Sequence, residues 1–375
     1  MPALAVAAAL RAEHAEVEFF GGERAEAQLV PVAGFALHTL PVEGLSRSNP
    51  LLAARALVRA ADAFLRARAQ LARLRPDAVM GGGGYVAGPV GLAALTLRIP
   101  LVLTEADSHL GLTNRLLAPF ARRICLAFPI AGREGPRYRV TGRPISVPAQ
   151  DRCGARERFG IGPQEVCVLV FGGSLGARSI NLAAVGAFVT GQAPAIGAAA
   201  ATRWAGEPPA ADAPLAAGAP TRTGSQPTDA AIRVLHVCGV RDYPELARHE
   251  LPAGYDLREY LPLEEFLEAL AAADLVIARS GGSVFELLAH GLPAILVPYP
   301  HASGDHQSQN ARWMADAGAA VVIPDGELNG ERLAREVAAL LADRERLAAM
   351  ASAASGLARP HAAEEIADEL LKAAA

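Results

Sequence analysis

Three glycine-bearing turns and two polar loops hold most of the residues equipped for chemistry in this chain. Gly172-Gly173-Ser174-Leu175-Gly176-Ala177-Arg178 follows the apolar run Val166–Phe171. Glycines there let the backbone turn tightly and approach a ligand, and a following helix points free N–H groups at any bound phosphate. No Lys-Ser or Lys-Thr pair follows, so this is not a Walker A loop, and a plain strand-to-helix turn reads equally well. Arg279-Ser280-Gly281-Gly282-Ser283 repeats the pattern after Leu275–Ala278. A diphosphate at a helix starting near Val284 gains up to about 1–2 kcal/mol from the helix dipole. Glu286, one turn in, has acceptor oxygens for both hydroxyls of a ribose. Ser283 and Glu286 also have the spacing of a capping box, which is the competing reading.

The loop at 298–310 leaves the C-terminal end of another strand, the usual ligand edge of an open α/β sheet. Gln307 and Asn310 both donate and accept, which suits sugar hydroxyls. His301, Asp305 and His306 raise the idea of a metal. With no Cys or third His nearby they read as solvated loop residues, and no metal is expected. In the first half, Gly81-Gly82-Gly83-Gly84-Tyr85 has more glycine than a turn needs, so the backbone there must approach something closely. Thr104-Glu105-Ala106-Asp107-Ser108-His109 collects two carboxylates and a histidine. Glu105 and Asp107 are candidates for acid–base work, with helix capping by Asp107 and Ser108 as the alternative.

Alternating βα units position these loops. Strands are expected at 16–20, 78–80, 100–104, 124–127 and 139–141, then at 166–171, 232–237, 275–278, 294–297 and 320–323, with an amphipathic helix over 50–74. Such alternation argues for parallel sheets covered by helices, hence an α/β chain of two Rossmann-like domains. The expected division is 1–141, a linker at 142–152, 153–345, and C-terminal helices at 346–375 that pack back on the first domain. Residues 191–231, rich in Ala, Pro, Gly and Thr, exceed the roughly 12–15 residues of an ordinary loop and read as a disordered insertion. The chain opens on a helix at 2–11 with no strand before it, which reads either as a helix-first fold or as a chain whose true beginning is missing.

Composition sets outer bounds. Among 375 residues, 35 Lys and Arg against 39 Asp and Glu give a net charge of −4, which excludes a broad grip on nucleic acid. A hydrophobic fraction of 51% excludes a mainly disordered chain. The four cysteines form no Cys-Xaa-Xaa-Cys pair and read as ordinary thiols. No stretch has the roughly 20 strongly apolar residues of a membrane span, and no basic leader precedes the first apolar run, so a cytoplasmic protein is expected. Arg55, Arg59, Arg66, Arg68 and Arg73 interleave with Leu and Phe. That stretch reads as an anionic-lipid face or as an ordinary solvated helix face.

Taken together, the segments GGGGYVAGP (81–89), GLTNRLLAPFARRICLAFP (111–129), VFGGSLGARSIN (170–181), RSGGSVFELLAHGLPAILVPYPHASGDHQSQNA (279–311) and DAGAAVVIP (316–324) resemble the MurG family. The resemblance covers nearly the whole chain apart from the insertion. It implies a GT-B fold, two Rossmann-like domains whose parallel sheets face a central cleft. It implies a metal-independent, cofactor-free, inverting transfer of GlcNAc from UDP-GlcNAc in peptidoglycan synthesis. The acceptor is the C4 hydroxyl of a muramoyl-pentapeptide on undecaprenyl diphosphate, met peripherally at the cytoplasmic membrane face.

By the same resemblance Ser174 sits by the donor diphosphate, Leu261 near the uracil, Gly282 and Ser283 at the nucleotide, Glu286 at the ribose, and Gln307 and Asn310 at the GlcNAc hydroxyls. Gly82, Gly83, Gly84 and Tyr85 face the acceptor. The chain also departs from the family. Its usual opening strand and Gly-Gly-Thr-Gly-Gly-His loop do not precede Pro2. Asp107 replaces a donor-binding Asn, Arg143 stands earlier than the family's arginine, and the Arg-Ser-Gly-Gly helix start is one residue short. Asp107 and Arg143 are therefore donor-side expectations. The alternatives are a GT-B UDP-sugar transferase with another lipid or natural-product acceptor, and an inactive, N-terminally truncated fragment.

Overall fold

The computed structural model describes residues 2–23, 25–42, 50–173, 175–189 and 232–375. The expected insertion at 191–231 and Ser174 lie outside them. The chain divides into two compact units, Met1–Val147 with Ala358–Ala375, and Pro148–Leu357.

The first unit runs α1 (Pro2–Ala12), β1 (Glu18–Gly21), α2 (Ala25–Val32), β2 (Ala36–Thr39), α3 (Pro50–Leu74), β3 (Val79–Gly81), α4 (Gly84–Thr96), β4 (Leu101–Glu105), α5 (Leu112–Leu117), β5 (Arg123–Leu126) and β6 (Tyr138–Val140). Strands β3 to β6 form a parallel sheet in sequence order, and β1 and β2 form a parallel pair. Side-chain alternation decides what covers each face. Leu101, Leu103, Ile124 and Leu126 join Ala63, Ala67, Leu71 and Val90 in one core. Val102 and Cys125 turn the other way, onto Val6 of α1 and onto Ile366 and Leu370 near the chain's end. The amphipathic expectation for 50–74 holds to the residue. Ala63, Ala67 and Leu71 recur at helical spacing on the buried face of α3, while Arg66, Arg68 and Arg73 are exposed.

The second unit runs α6 (Arg152–Arg158), β7 (Val166–Phe171), α7 (Arg178–Phe188), β8 (Ile232–Val237), α8 (Tyr243–Leu246), β9 (Tyr255–Arg258), α9 (Leu263–Ala272), β10 (Leu275–Ala278), α10 (Val284–Ala289), β11 (Ala294–Leu296), α11 (His306–Asp316), β12 (Ala320–Val322), α12 (Gly330–Ala342) and α13 (Arg344–Leu357). The last helix, α14 (Ala362–Ala374), belongs to the first unit, where Glu369 meets Arg123 and Arg139 at 2.5 and 2.7 Å. All six residues of β7 are buried, as an uninterrupted apolar run in the middle of a parallel sheet must be. The sheet order is β12-β11-β10-β7-β8-β9, parallel throughout. From β7 the chain builds outward through β8 and β9, then crosses back to lay β10 against the other side of β7. The point where the winding reverses lies between β7 and β10.

Two strands, β2 and β9, were not expected from the sequence. Ala-Leu-His-Thr and Tyr-Asp-Leu-Arg are short and half polar, and both end a sheet or pair, where an apolar run is not required. At the amino-terminal edge of the second sheet's central strands, Asp274 accepts from Arg152 at 2.5 Å, Arg156 at 3.1 Å and the Cys167 N–H at 2.7 Å. The two guanidiniums also take the last carbonyls of α9, Ala271 to Ala273, so they close its C-terminus.

His236 of β8 is wholly buried, bonded to the Tyr255 hydroxyl at 2.7 Å and Asn181 Oδ1 at 3.0 Å. Burial pushes its pKa down to about 4. In the unfolded chain a histidine titrates near 6.5, so between these values only the unfolded state binds the proton. Stability is therefore full above pH ~6.5 and falls toward pH ~4 by about 1.4 kcal/mol per unit, with no further loss from this group below. Urea unfolding of wild type and His236→Gln across pH 4 to 7 should show that slope in their difference; a flat difference would contradict it.

Candidate functional site

In an open α/β sheet, ligands gather outside the carboxyl ends of the strands where the winding reverses. Here that place lies between the turns that follow β7 and β10. Gly172 packs so tightly that a Cβ would come within 2.3 Å of the Ala177 nitrogen. Gly176 turns with φ +79°, and a Cβ there would come within 2.1 Å of the Cys238 carbonyl. Only glycine fits either position. Ala177 precedes α7 with no side-chain cap, which leaves first-turn N–H groups for a ligand.

The turn after β10 is held to all of its neighbours by two consecutive residues. Arg279 Nη1 donates to the carbonyls of Val297 and Pro298, at 3.1 and 3.2 Å, and to Asp325 Oδ1 at 2.6 Å. Its Nη2 reaches Ser179 Oγ at 2.9 Å, and Ser179 in turn donates to Asp325 at 2.6 Å. The guanidinium also lies 5.5 Å from the Tyr299 ring centroid. Ser280, fully buried, donates to the Gln307 carbonyl at 2.7 Å, while Asn310 Nδ2 donates to the Ser280 carbonyl at 3.0 Å. Ser179 at the start of α7 and the turns at 279–283 and 298–310 are thus one hydrogen-bonded assembly. The sequence flagged these segments but not this stitching, because its partners are far apart along the chain.

Several expected residues take definite places. Ser283 is already helical at φ −61°, ψ −13° and makes no capping hydrogen bond, so the capping-box reading of Ser283 and Glu286 is not realised. An N-cap needs extended backbone for its side chain to reach the helix N–H groups. Glu286 sits half-buried in the first turn of α10, and Gly282 and Ser283 are half-buried beside it. Gln307 Oε1 accepts from the Tyr299 N–H at 3.0 Å, which leaves its Nε2 toward Gly281. Asn310 is 2% exposed and spends its amide on the turn, so it holds the loops rather than offering that amide at the surface. Leu261 is buried, while its neighbour Tyr260 is exposed. Asp305 bonds Ser308, and His301 stands edge-on to Tyr299; among the described residues no group of His, Cys, Asp and Glu could hold a metal.

In the first unit, β3 is followed by Gly82 to Gly84, where Gly83 and Gly84 adopt φ +78° and +73°, and Tyr85 is exposed. The loop after β4 is organised by Glu105, 8% exposed. Its Oε2 accepts from the Gly111 N–H at 2.8 Å and Asn114 Nδ2 at 2.9 Å, and its Oε1 accepts from the Asp107 N–H at 3.3 Å. Gly111, at the start of α5, has no side chain with which to cap it, and Glu105 ties down the Gly111 N–H itself. Both Glu105 oxygens are therefore engaged, which fits a brace better than the acid–base group expected from the sequence. Asp107 is half-buried on the same loop, and Arg143 is half-buried after β6 in the same unit.

Residues 1–126 match the glycosyltransferase family 28 N-terminal domain, and residues 167–368 match the glycosyltransferase family 28 C-terminal domain. The chain is 41% identical to the UDP-N-acetylglucosamine–N-acetylmuramyl-(pentapeptide) pyrophosphoryl-undecaprenol N-acetylglucosamine transferase of Moorella thermoacetica, over 99% of this chain and 95% of that one. The same-named protein of Rubrobacter xylanophilus is 39% identical over 98% of each. The crystal structure of MurG from Acinetobacter baumannii superposes with a TM-score of 0.71 at 27% identity, covering 99% of this chain and 95% of that one.

The Glu105 brace has a direct consequence. Glu105→Ala leaves the buried Asn114 amide and the Gly111 N–H short of an acceptor and should cost roughly 1–3 kcal/mol in thermal or urea unfolding. Asp107→Ala, which removes no such acceptor, should change stability by less than about 0.5 kcal/mol. Equal effects would contradict the brace.

Proposed function

The chain belongs to the MurG family of glycosyltransferase family 28, and from that premise we propose that it moves GlcNAc from UDP-GlcNAc to the C4 hydroxyl of undecaprenyl-diphosphate-MurNAc-pentapeptide, with inversion, in peptidoglycan synthesis. The observation that carries the reading is the assembly that ties Ser179, just past the glycine turn after β7, to the 279–283 and 298–310 turns at the reversal of the second sheet. A nucleotide sugar has a diphosphate, a ribose and a hexose to be held, and these three turns supply N–H-rich glycine backbone, the Glu286 carboxylate and the Gln307 amide.

The chemistry follows from charge. As the sugar C1–O bond to UDP breaks, negative charge grows on the diphosphate. N–H groups fixed in advance at the two turns stabilise it without reorganising. The acceptor oxygen attacks C1 from the opposite face, and its proton must pass to a base. With Glu105 engaged as a brace, Asp107 is the carboxylate we assign to that role on the first unit. On the second unit we assign Ser174, Gly282, Ser283 and Leu261 to the donor; on the first unit we assign Arg143 to the donor and Gly82 to Gly84 with Tyr85 to the acceptor. Asn310 joins the donor site as the residue that holds its loops.

Among the described residues no helix is long and apolar enough to cross a membrane. We assign contact with the cytoplasmic membrane surface to α3, where Leu57, Val58 and Leu65 are 60%, 70% and 63% exposed beside Arg55, Arg66, Arg68 and Arg73. Apolar side chains framed by arginines suit an anionic interface.

The deciding assay offers detergent-solubilised lipid I and, separately, diacylglycerol, each with radiolabelled UDP-GlcNAc. Product from lipid I alone is expected, and product from diacylglycerol alone would overturn the acceptor. Glu286→Ala should raise the UDP-GlcNAc KM by about tenfold or more with little change in kcat; an unchanged KM removes Glu286 from the ribose. The protein should sediment with phosphatidylglycerol vesicles and release in high salt. Failure to bind them, or equal binding to phosphatidylcholine, contradicts the α3 assignment.

A further inference from the structure

Leu175 and Gly176, in the turn after β7, lie backbone against backbone on Cys238 and Gly239, just past the end of β8. Gly239, at φ +83°, would place a Cβ within 2.3 Å of the Gly176 nitrogen, so neither strand end can shift without the other. What fixes this contact is a polar chain running inward from it. Asn181, fully buried in the first turn of α7, donates through Nδ2 to the Cys238 carbonyl at 2.9 Å and to Asp242 Oδ2 at 2.7 Å. With both amide hydrogens spent on acceptors, its Oδ1 must accept, and the hydrogen lies on His236 Nε2, 3.0 Å away. His236 Nδ1 then accepts from the Tyr255 hydroxyl at 2.7 Å. The amide thus has one orientation and the imidazole one tautomer. Asp242 also meets Arg178 at 3.4 Å, and Arg178 forks onto Glu245 at 2.7 and 3.0 Å. The chain therefore joins β9, β8, the 238–242 loop and the start of α7.

We propose that the Tyr255–His236–Asn181 relay is a positioning device for the donor diphosphate. It locks the glycine turn onto Cys238 and Gly239, so that the turn's N–H groups stand in place before the nucleotide sugar arrives. None of the three side chains touches the ligand; they act through the backbone they hold. The inference rests on the reading that a nucleotide-sugar diphosphate binds at this turn. Ligand binding then spends no free energy on ordering the loop, and loss of the relay should appear in donor affinity ahead of the chemical step.

The test is steady-state kinetics on the full chain, with UDP binding by calorimetry. His236→Phe keeps the ring's bulk without donor or acceptor, His236→Gln keeps one of each, and Tyr255→Phe removes only the hydroxyl. His236→Phe should raise the UDP-GlcNAc KM by about tenfold or more, with kcat within about threefold and the acceptor KM unchanged. His236→Gln should return the donor KM to within about threefold of wild type, and Tyr255→Phe should fall between them. If His236→Phe does not fold, Tyr255→Phe carries the same comparison. Nitrogen NMR of the wild type should show the His236 Nε2–H tautomer. Lowered melting temperatures with unchanged donor KM, or an Nδ1–H tautomer, overturn the relay. A wild-type protein that neither binds UDP nor uses UDP-GlcNAc overturns the donor reading instead.

Discussion

The arrangement of the second unit depends on one guanidinium. Arg279 stands at the end of β10, beside the central strand β7, and donates to four partners drawn from three other segments. Val297 and Pro298 lie at the end of β11, Asp325 beyond β12, and Ser179 at the start of α7. A planar fork of fixed geometry can satisfy such a set only if those segments keep their spacing, so the residue acts as a template as well as a tie. Ser280 and Asn310 extend the same function to the start of α11. Where a parallel sheet reverses its winding the strand ends diverge and leave a crevice, and a crevice of loops needs ties of this kind to keep one shape.

That constraint explains why so little of the site's polar inventory faces outward. Asn310, Ser280, Asn181 and Glu105 are each nearly or fully buried and spend their hydrogen bonds on backbone or on other side chains of the protein. The ligand side is left to main-chain N–H groups of glycine turns and to a few half-buried side chains such as Glu286 and Gln307. Charge developing on a departing diphosphate is met better by fixed dipoles than by mobile side chains, which must reorganise. In the first unit the same economy appears in Glu105, whose two oxygens go to the Gly111 and Asp107 N–H groups and the Asn114 amide.

Much of the fold was legible in the sequence, and for physical reasons. Val166–Phe171 is apolar at every position because the middle of a parallel sheet is buried on both faces. The 50–74 helix shows its buried face in the spacing of Ala63, Ala67 and Leu71. The glycine turns were legible because only glycine takes the positive φ of Gly83 or the close approach of Gly176. β2 and β9 were not legible, since edge strands of mixed polarity carry no apolar signature. The site was half legible. Spacing made Ser283 and Glu286 look like a capping box, yet Ser283 is already helical, a backbone fact the residue types do not encode. Glu105 read as an acid–base group because its partners, Gly111 and Asn114, announce nothing on their own. The partners of Arg279 lie up to a hundred residues away, beyond the reach of any local pattern.

The central claim is that the donor site is shaped by ties buried behind it, with Arg279 foremost. Arg279→Lys keeps the charge but loses the fork, so UDP calorimetry on this variant and on wild type, alongside urea unfolding, addresses the claim directly. The account predicts a UDP Kd raised by about tenfold or more in a chain that still folds cooperatively. A UDP affinity equal to that of wild type would contradict it.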